Sequence, residues 1–509
     1  MRSVQEISDP EMLRQVAVLL ERENAKLHAK LHALAEELAR LRGDTLLTAQ
    51  HELAFLKELL AQRERALFGA SSEQRPRREE TEPVAAPAPR RGHGPTAQPR
   101  LPIVEQVHEL DTADRTCPQC GGTLQEMTGQ TEDSEEITVV ERQFVLVKHQ
   151  RKKYRCACNG CVDTAPGPPR LAARPDVRGH RYAPAFAVEV AIDKYLDHLP
   201  LERQARRMGR EGLAIDSQTL WDQIDALATV LQPTYEGVRQ YVLAAPVIGA
   251  DETWWRFLQG RGAPRWWAWS VTREDAVAYT ILESRSQNAA RQVLNGYAGI
   301  VMADGYGAYD ALARAGPGLT LAHCWAHVRR KFVEAEPHHP GPCGEVLDLI
   351  GQLYAVERAC PALDPGASEE AHEHARQLRA AARREQSIAI VDAIRAWAYR
   401  QRALPESSLG KAIAYMLGLW AGLTRFLGDA RIPLDNNATE RGLRGMVVGR
   451  KNHYGSRSKR GTEVAALFYS LIETAKLAGV NPKTYLLTAT HAALENPGTA
   501  TLPQALLTN

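Results

Sequence analysis

The feature that most constrains this chain is a carboxylate planted inside an apolar strand. Pro246-Val-Ile-Gly-Ala-Asp251-Glu-Thr-Trp-Trp-Arg256-Phe257 enters with apolar residues, carries Asp251 in its middle, and continues with aromatic and β-branched residues. That pattern predicts a buried strand. A buried acid is costly unless something cationic holds it, so the stretch demands partners from elsewhere. Two other segments offer acids. Gly299-Ile-Val-Met-Ala-Asp304-Gly-Tyr-Gly reads as a second apolar strand ending in Asp304 and a glycine turn. Asp435-Asn-Asn-Ala-Thr-Glu440-Arg441 opens a helix. Together they suggest three carboxylates converging on metal ions.

Two-metal cleavage of a phosphodiester requires carboxylates that hold the ions roughly 4 Å apart. One ion activates the attacking water or 3′-hydroxyl, and the other stabilises the leaving oxygen. Hard oxygen ligands suit two Mg²⁺ (or Mn²⁺) ions. In this reading Asp251 bridges both ions, while Asp304 and Glu440 each complete one. Two of the acids have local alternatives. Asp304 could serve as a turn residue before Gly305. Asn437-Ala-Thr-Glu440 matches a capping box, in which Glu440 bonds back to the Asn437 amide.

Cysteine usage points to a different metal. Five of the eight cysteines fall between Cys117 and Cys161. Clustered cysteines without a secretory leader read as zinc ligands in a reducing compartment rather than as disulfides. Cys117-Pro-Gln-Cys120-Gly-Gly is a knuckle-type turn, and Cys156-Ala-Cys158-Asn-Gly-Cys161 is its partner. Ile137–Val147, between them, reads as a strand. The set describes a zinc ribbon holding one structural Zn²⁺, with Cys117, Cys120 and two of Cys156, Cys158 and Cys161 as ligands. The spacing favours Cys158 and Cys161. The absence of a signal core and of any run near the roughly 20 apolar residues needed to span a bilayer implies a cytoplasmic protein with no membrane partner.

Further upstream, Leu13, Leu20, Leu27, Leu34 and Leu41 are spaced by seven, with Asn24 at an a position. This predicts a coiled coil and self-association into a homodimer or higher. A second heptad run, Leu46 to Leu67, folds back or prolongs the stalk. Residues 72–103, rich in Pro, Arg, Ala and Glu, read as a flexible linker. The net charge of +2 does not announce nucleic acid, but local basic clusters do. Leu199–Arg210 and Ser217–Thr229 resemble a helix-turn-helix, with Arg203, Arg206, Arg207 and Arg210 suited to phosphates and Gln218 on the second helix. After the third acid come Arg441, Arg444, Arg450, Lys451 and Lys459, of which at least two are expected to hold backbone phosphates.

Around Asp251 the order is three strands with short turns (Val247–Phe257, Arg265–Val271, Ala276–Leu282), a helix over Gln287–Tyr297 and a strand over Gly299–Ala303. A short strand, Leu319–Ala322, then precedes a helix, His323–Glu336. This is the order of an RNase H-like fold, in which the first and fourth strands lie side by side. His323 and His327, with Cys324 beside them, could suggest a second zinc. No fourth ligand is evident, so the segment reads as a helix flanking the active site, with Arg329 and Arg330 facing DNA. The chain is therefore a multidomain α+β protein. A leucine-zipper-like coiled coil covers 1–71, the linker 72–103, the zinc ribbon 104–165 and a helical DNA-binding region 166–243. The RNase H-like domain comes in two parts, 244–336 and 426–485, around a helical insertion at 337–425. A C-terminal helix and frayed tail occupy 486–509.

These residues carry a resemblance. Leu67-Phe-Gly-Ala-Ser-Ser-Glu73, Cys117-Pro-Gln-Cys120-Gly-Gly, Gly249-Ala-Asp251-Glu-Thr and Asp304-Gly-Tyr stand in order. Ala322-His-Cys-Trp-Ala-His327-Val-Arg-Arg-Lys-Phe332, Asp435-Asn-Asn-Ala-Thr-Glu440-Arg441, Gly449-Arg-Lys-Asn452 and Tyr469-Ser-Leu-Ile-Glu-Thr-Ala-Lys-Leu follow. The chain resembles the large DDE transposase of the insertion-sequence-66 family of bacterial elements. The resemblance implies Asp251, Asp304 and Glu440 as the catalytic triad, an RNase H-like domain with a helical insertion before the glutamate, and double-stranded DNA (element ends and target) as partner. It also admits accessory proteins of the element, and places the protein at the bacterial nucleoid. The second cysteine corner departs from a plain CxxC. The implied activity is metal-dependent cleavage at element ends and strand transfer. The alternatives are a zinc-containing, non-catalytic DNA-binding regulator derived from a transposase, and a nuclease without strand transfer.

Overall fold

The computed structural model describes residues 181–259, 265–316, 318–362 and 367–507. It also describes 143–155 and 161–171, and isolated positions before them, including Glu58, Cys120 and Ile137. The leucine repeat from Leu13 to Leu41, nearly all of the linker, and Cys117, Cys156 and Cys158 lie outside the described residues. The chain divides into two compact units, 74–143 and the remainder (1–73 with 144–509). In the smaller unit the Gln119–Cys120 turn leads into Gly121 at φ 72°, a left-handed conformation suited to glycine.

In the larger unit, β1 (Lys153–Arg155) and β2 (Val162–Thr164) pair antiparallel, with Arg155 opposite Val162. Of the strand expected over Ile137–Val147, residues 138–142 lie outside the described residues, and 143–147 carry no strand. Val145, Leu146 and Val147 are exposed, so among the described residues nothing packs a strand there.

Three helices follow: α1 (Pro184–Tyr195), α2 (Leu201–Arg210) and α3 (Ser217–Leu243). Asp216 caps α3 by accepting from the Thr219 amide, one residue earlier than Ser217. The expected second helix of the pair is far longer than Ser217–Thr229. Its apolar stripe, Leu220, Ile224, Leu227, Leu231, Val238 and Val242, runs the whole length into the core.

The central sheet has the order β5-β4-β3-β6-β7. Its strands are β3 (Val247–Arg256), β4 (Arg265–Arg273), β5 (Ala276–Leu282), β6 (Gly299–Ala303) and β7 (Leu319–His323). The first three form an antiparallel meander, while β6 joins β3 in parallel and β7 joins β6 in parallel. This arrangement is consistent with an RNase H-like domain. The crossovers are α4 (Gln287–Leu294) and α5 (Gly307–Ala315). The second of these was not foreseen, because Gly305 and Gly307 read as a turn. After β7 comes α6 (Trp325–Ala335), so His323 ends a strand and is not a helical turn from His327.

The insertion contains α7 (Pro340–Ala359), α8 (Glu369–Ala382), α9 (Ile388–Arg400), α10 (Ser408–Gly418) and α11 (Trp420–Leu423). They enclose a second core in which Ile350, Leu353, Ile394, Trp397 and Met416 pack with Met302 and Ala322 of the sheet. Arg383, in a π-helical turn between α8 and α9, holds it together from inside. Its guanidinium is bidentate on Glu357 (2.7 and 2.9 Å) and donates to the carbonyls of Phe426 (2.7 Å), Asp429 (3.0 Å) and Ile432 (3.0 Å). Glu58 is buried here too: it accepts from the Ser408 amide (2.6 Å) and lies 3.2 Å from His339 Nε2.

The chain then forms α12 (Asn437–His453), α13 (Lys459–Leu477) and α14 (Pro482–Glu495). Helix α13 covers the edge strand β5 with hydroxyls. Ser470 Oγ accepts from the Tyr279 amide (2.8 Å), and Thr474 Oγ1 both accepts from and donates to Val277. Backbone groups that would stay open at a sheet edge are thereby satisfied. The expected frayed tail packs instead, with Gln504 donating to the Asp275 carbonyl at 3.0 Å. Among the described residues no helix is long and apolar enough to cross a membrane.

Replacing Arg383 with Met strands Glu357 and three carbonyls in the core. The expected loss is roughly 3–5 kcal/mol, read as a lowered thermal midpoint of the full chain, and an unchanged midpoint would refute the staple. A second expectation concerns acid. Burial, helped by the Lys194 charge, pushes the His453 imidazole down to about 3. Between about 6.5 and 3 the unfolded chain binds a proton that the folded ring refuses, so stability falls as pH falls. From pH 7 to 5 this amounts to about 2 kcal/mol. His453→Gln should flatten that part of the urea-midpoint profile, and an unaltered slope would exclude the ring as its source.

Candidate active site

The parallel register of β3 and β6 runs from Val247↔Ile300 to Gly249↔Met302. Two residues further along each strand stand Asp251 and Asp304. Alternation puts both on the face shared by Gly249 and Met302. Helix α12 lands on that face, and Gly249 is the reason it can. A Cβ there would run into Thr439 Oγ1 and lie 2.6 Å from Asn436 Oδ1 and 2.7 Å from Thr272 Oγ1.

Buried polar groups fasten the contact. Asn436 Nδ2 donates to the Ala250 carbonyl (2.9 Å), Thr439 Oγ1 donates to Asn436 Oδ1 (2.6 Å), and the Thr272 and Thr439 hydroxyls are 2.5 Å apart. Glu440 follows Thr439, so this joint delivers it to the sheet. Sequence reasoning missed Asn436 and Thr439 as positioning residues. The Asn-Asn-Ala-Thr run was visible, but its partners are about 170–190 residues away.

The capping-box alternative is not realised. The Asn437 amide donates to Asp435 Oδ1 at 3.0 Å. The Glu440 side chain extends towards α6 instead, 3.6 Å from His327 Nε2 and 3.7 Å from Arg330. Among the described residues its Oε1 is buried without a hydrogen-bond partner. Asp304 does hold its turn, with Oδ1 accepting from the Tyr306 amide (2.9 Å), while Tyr415 on α10 donates to the Asp304 carbonyl (2.5 Å).

Asp251 shows what this crowding costs. Burial pushes its carboxyl up to about 7, and the negative charges of Glu252, Asp304 and Glu440 add to the effect against the opposing bond from the Glu252 amide. Among the described residues no cationic side chain pairs with it. Asp304 and Glu440 thus lie near enough to act on Asp251 by charge, with Arg330 beside Glu440, and carboxylates are donors that suit hard divalent ions. Glu252 points to the opposite face, where it is buried and bonded to Arg285 (2.5 and 2.7 Å) and Tyr309 (3.0 Å). Arg285 in turn stacks on Tyr306 at 3.8 Å. The sequence reading had no role for this trio.

The basic residues divide into three groups. Arg441, Arg444 and Lys451 are exposed at helical spacing along one side of α12, and Lys459 is exposed at the start of α13. Arg203, Arg206 and Arg210 are exposed on α2, and Gln218 is exposed with its amide on Asp222 (2.9 Å). Arg207 is half-buried and paired with Asp193, Arg329 is half-buried on α6, and Arg330 reaches Glu440. Arg450 is buried. It donates to the Trp254 carbonyl and lies 3.7 Å from the Trp254 ring centre, an interior position rather than a surface one. Its alternation with exposed neighbours on α12 was the available signal.

Of the ribbon cysteines, Cys120 and Cys161 are exposed, and Cys161 directly precedes β2. Cys324 is buried, its thiol pushed up to about 12 by burial, and its Sγ accepts from the Asn436 amide at 3.2 Å. His323 is buried under Gly422, where a Cβ would strike its ring.

Residues 179–464 match the family model described as transposase IS66 family, and residues 114–159 match the zinc-finger binding domain of transposase IS66. The second match takes in Cys117, Cys120, Cys156 and Cys158 and stops short of Cys161. Three similar proteins come from Sinorhizobium fredii strain NGR234. Uncharacterized protein y4jD is 32% identical over 415 residues, covering 78% of this chain and 77% of its own. Uncharacterized protein y4hP is 28% identical over 436 residues (80% and 75%), and y4qI is 28% identical over 526 residues (94% and 93%).

Adding a methyl at Gly249 tests the joint. Gly249→Ala should push the start of α12 off β3, at about 1–3 kcal/mol. Hydrogen exchange at the amides of residues 436–440 should accelerate relative to wild type. Unchanged protection would show that the close approach is not what seats the helix.

Proposed function

The chain belongs to the IS66 transposase family, and from that premise we propose that it cuts DNA at the ends of its element and joins the freed 3′-hydroxyl to target DNA. The observation that carries the reading is the convergence of Asp251, Asp304 and Glu440, felt at Asp251 as a carboxyl that resists ionisation. Divalent cations held by these three would supply activation of the attacking oxygen and neutralisation of the leaving one.

The chain's own residues do the rest. Asn436 and Thr439 hold the start of α12 against β3, so Glu440 approaches from a fixed direction. Arg285 and Tyr309 keep Glu252 on the far face, away from the reacting phosphate. The exposed row of Arg441, Arg444 and Lys451 extends from Glu440 along the same helix. It is suited to hold the backbone on either side of the scissile bond. In the first reaction water attacks the phosphodiester, forming one P–O bond and releasing the 3′-oxygen. In the second, that 3′-hydroxyl attacks a target phosphodiester and displaces its 3′-oxygen, so the number of phosphodiester bonds is conserved.

Arg203, Arg206 and Arg210 on α2 offer a second phosphate-binding row for the element end. The cysteine corners would hold one structural Zn²⁺ through Cys117, Cys120 and two of Cys156, Cys158 and Cys161. The leucine repeats would pair subunits so that two ends are handled together. A cytoplasmic, nucleoid-associated protein is the corresponding location.

The test is strand transfer of labelled element ends into plasmid with Mg²⁺. Asp251→Asn should lower the rate by roughly a thousand-fold or more, the equivalent of several kcal/mol of lost transition-state stabilisation, while end binding persists. Equal rates in the two proteins would end the role of Asp251 in metal-dependent chemistry, and no activity in either would leave a non-catalytic zinc-containing DNA binder. Cleavage without joining would leave a nuclease.

A further inference from the structure

The same joint that seats Glu440 creates a second donor set. Cys324 Sγ, a ring nitrogen of His327 and a carboxylate oxygen of Glu440 all lie within 4.8 Å of one another. The sequence had offered His323 and His327 as a pair. The structure removes His323 into a strand and substitutes Glu440, which lies more than a hundred residues along the chain.

We propose that Cys324, His327 and Glu440 form a site for a thiophilic divalent ion of the zinc class. Occupancy there competes with the Mg²⁺ chemistry by taking Glu440 away from Asp251 and Asp304.

Three observations carry it. First, the donors are of the right type: thiolate, imidazole and carboxylate each ligate zinc, and three protein ligands leave a fourth position open. Second, they are close enough. Ligands about 2.0–2.3 Å from a tetrahedral ion lie roughly 3.5 Å apart. His327 Nε2 and Glu440 Oε1 are already 3.6 Å apart. Third, the surroundings are those of a prepared site. Glu440 Oε1 is buried without a hydrogen-bond partner among the described residues. Cys324 Sγ already accepts a backbone N–H from Asn436, as coordinated ligands commonly do from their supporting shell.

On binding, the Cys324 thiol would release its proton to solvent and coordinate as thiolate. Arg330, 3.7 Å from the other oxygen of Glu440, would stay beside the carboxylate. Glu440 can swing between two tasks because its own helix turn, not its carboxylate, is fastened to the sheet.

The proposal rests on Glu440 serving the Mg²⁺ site, and its test separates the two. Full-length protein stripped of metal is titrated with Co²⁺, following the thiolate charge-transfer band and the bound cobalt per chain. Cys324→Ala and His327→Asn should each bind one equivalent fewer than wild type. A Cys117→Ser, Cys120→Ser double variant, which removes the ribbon corner, should retain that equivalent. Identical uptake by wild type, Cys324→Ala and His327→Asn would overturn the site. In Mg²⁺-dependent strand transfer, micromolar Zn²⁺ should inhibit wild type, and the two variants should need about ten-fold more or higher. Equal zinc sensitivity would overturn the competition. Absence of Mg²⁺-dependent strand transfer in zinc-free wild type would count against the transposase reading, and cobalt uptake would still decide the site.

Discussion

The molecule turns on a contact that only a residue without a side chain permits. At Gly249 the first turn of α12 comes to rest on the central strand, and Asn436, Thr439 and Thr272 close the gap with buried hydrogen bonds. Everything at the site depends on that approach. It brings Glu440, like Asp304 at the end of the neighbouring strand β6, near enough to act on Asp251 by charge. Burial first, and then the neighbouring negative charges, raise the Asp251 carboxyl. A protein that holds acids this way has spent stability on a local charge excess. The excess is relieved only by protons or by cations.

The helical insertion gains a purpose from the same geometry. It separates the glutamate from the rest of the sheet in sequence by about a hundred residues, yet it builds the approach to it. Arg383 gathers the carbonyls of Phe426, Asp429 and Ile432 just before α12 begins, and the Trp325 amide, just after β7, donates to the Leu434 carbonyl (3.1 Å). Tyr415 from α10 reaches back to the Asp304 carbonyl. A buried ionic centre of this kind adds little net stability over an apolar one, and its better-attested value is in defining a unique arrangement. Here that arrangement is the path of the chain into Glu440.

Polar pairing also explains why some basic residues are available to a partner and others are not. Arg450 stacks on Trp254 and is spent inside, whereas Arg441, Arg444 and Lys451 share the opposite, open side of the same helix. A single α-helical period therefore sorts cations into structural and surface roles. Long basic side chains on an exposed face cost little to keep solvated until an anionic backbone arrives.

Much was legible in the sequence because it is written locally. Periodicity placed the five strands of the sheet and a helical insertion, though not the crossover helix α5, and it marked Asp251, Asp304 and Glu440 as acids in unusual settings. Local pattern failed where the deciding partner was remote. It supplied a capping box at Asn437–Glu440, but Asp435 took the amide and Glu440 turned towards α6. It suggested a surface role for Arg450 and a frayed end near Gln504, both of which tertiary packing buried or bonded. It paired His323 with His327 on one helix, although a strand end separates them. A sequence determines which side chains are near in the chain and which face of a strand or helix they share. Whether a given carboxylate finishes beside another acid, a thiol or a backbone amide depends on how helices and strands hundreds of residues apart come to pack. That was decided by the absence of one Cβ at Gly249 and the hydrogen bonds that closed over it.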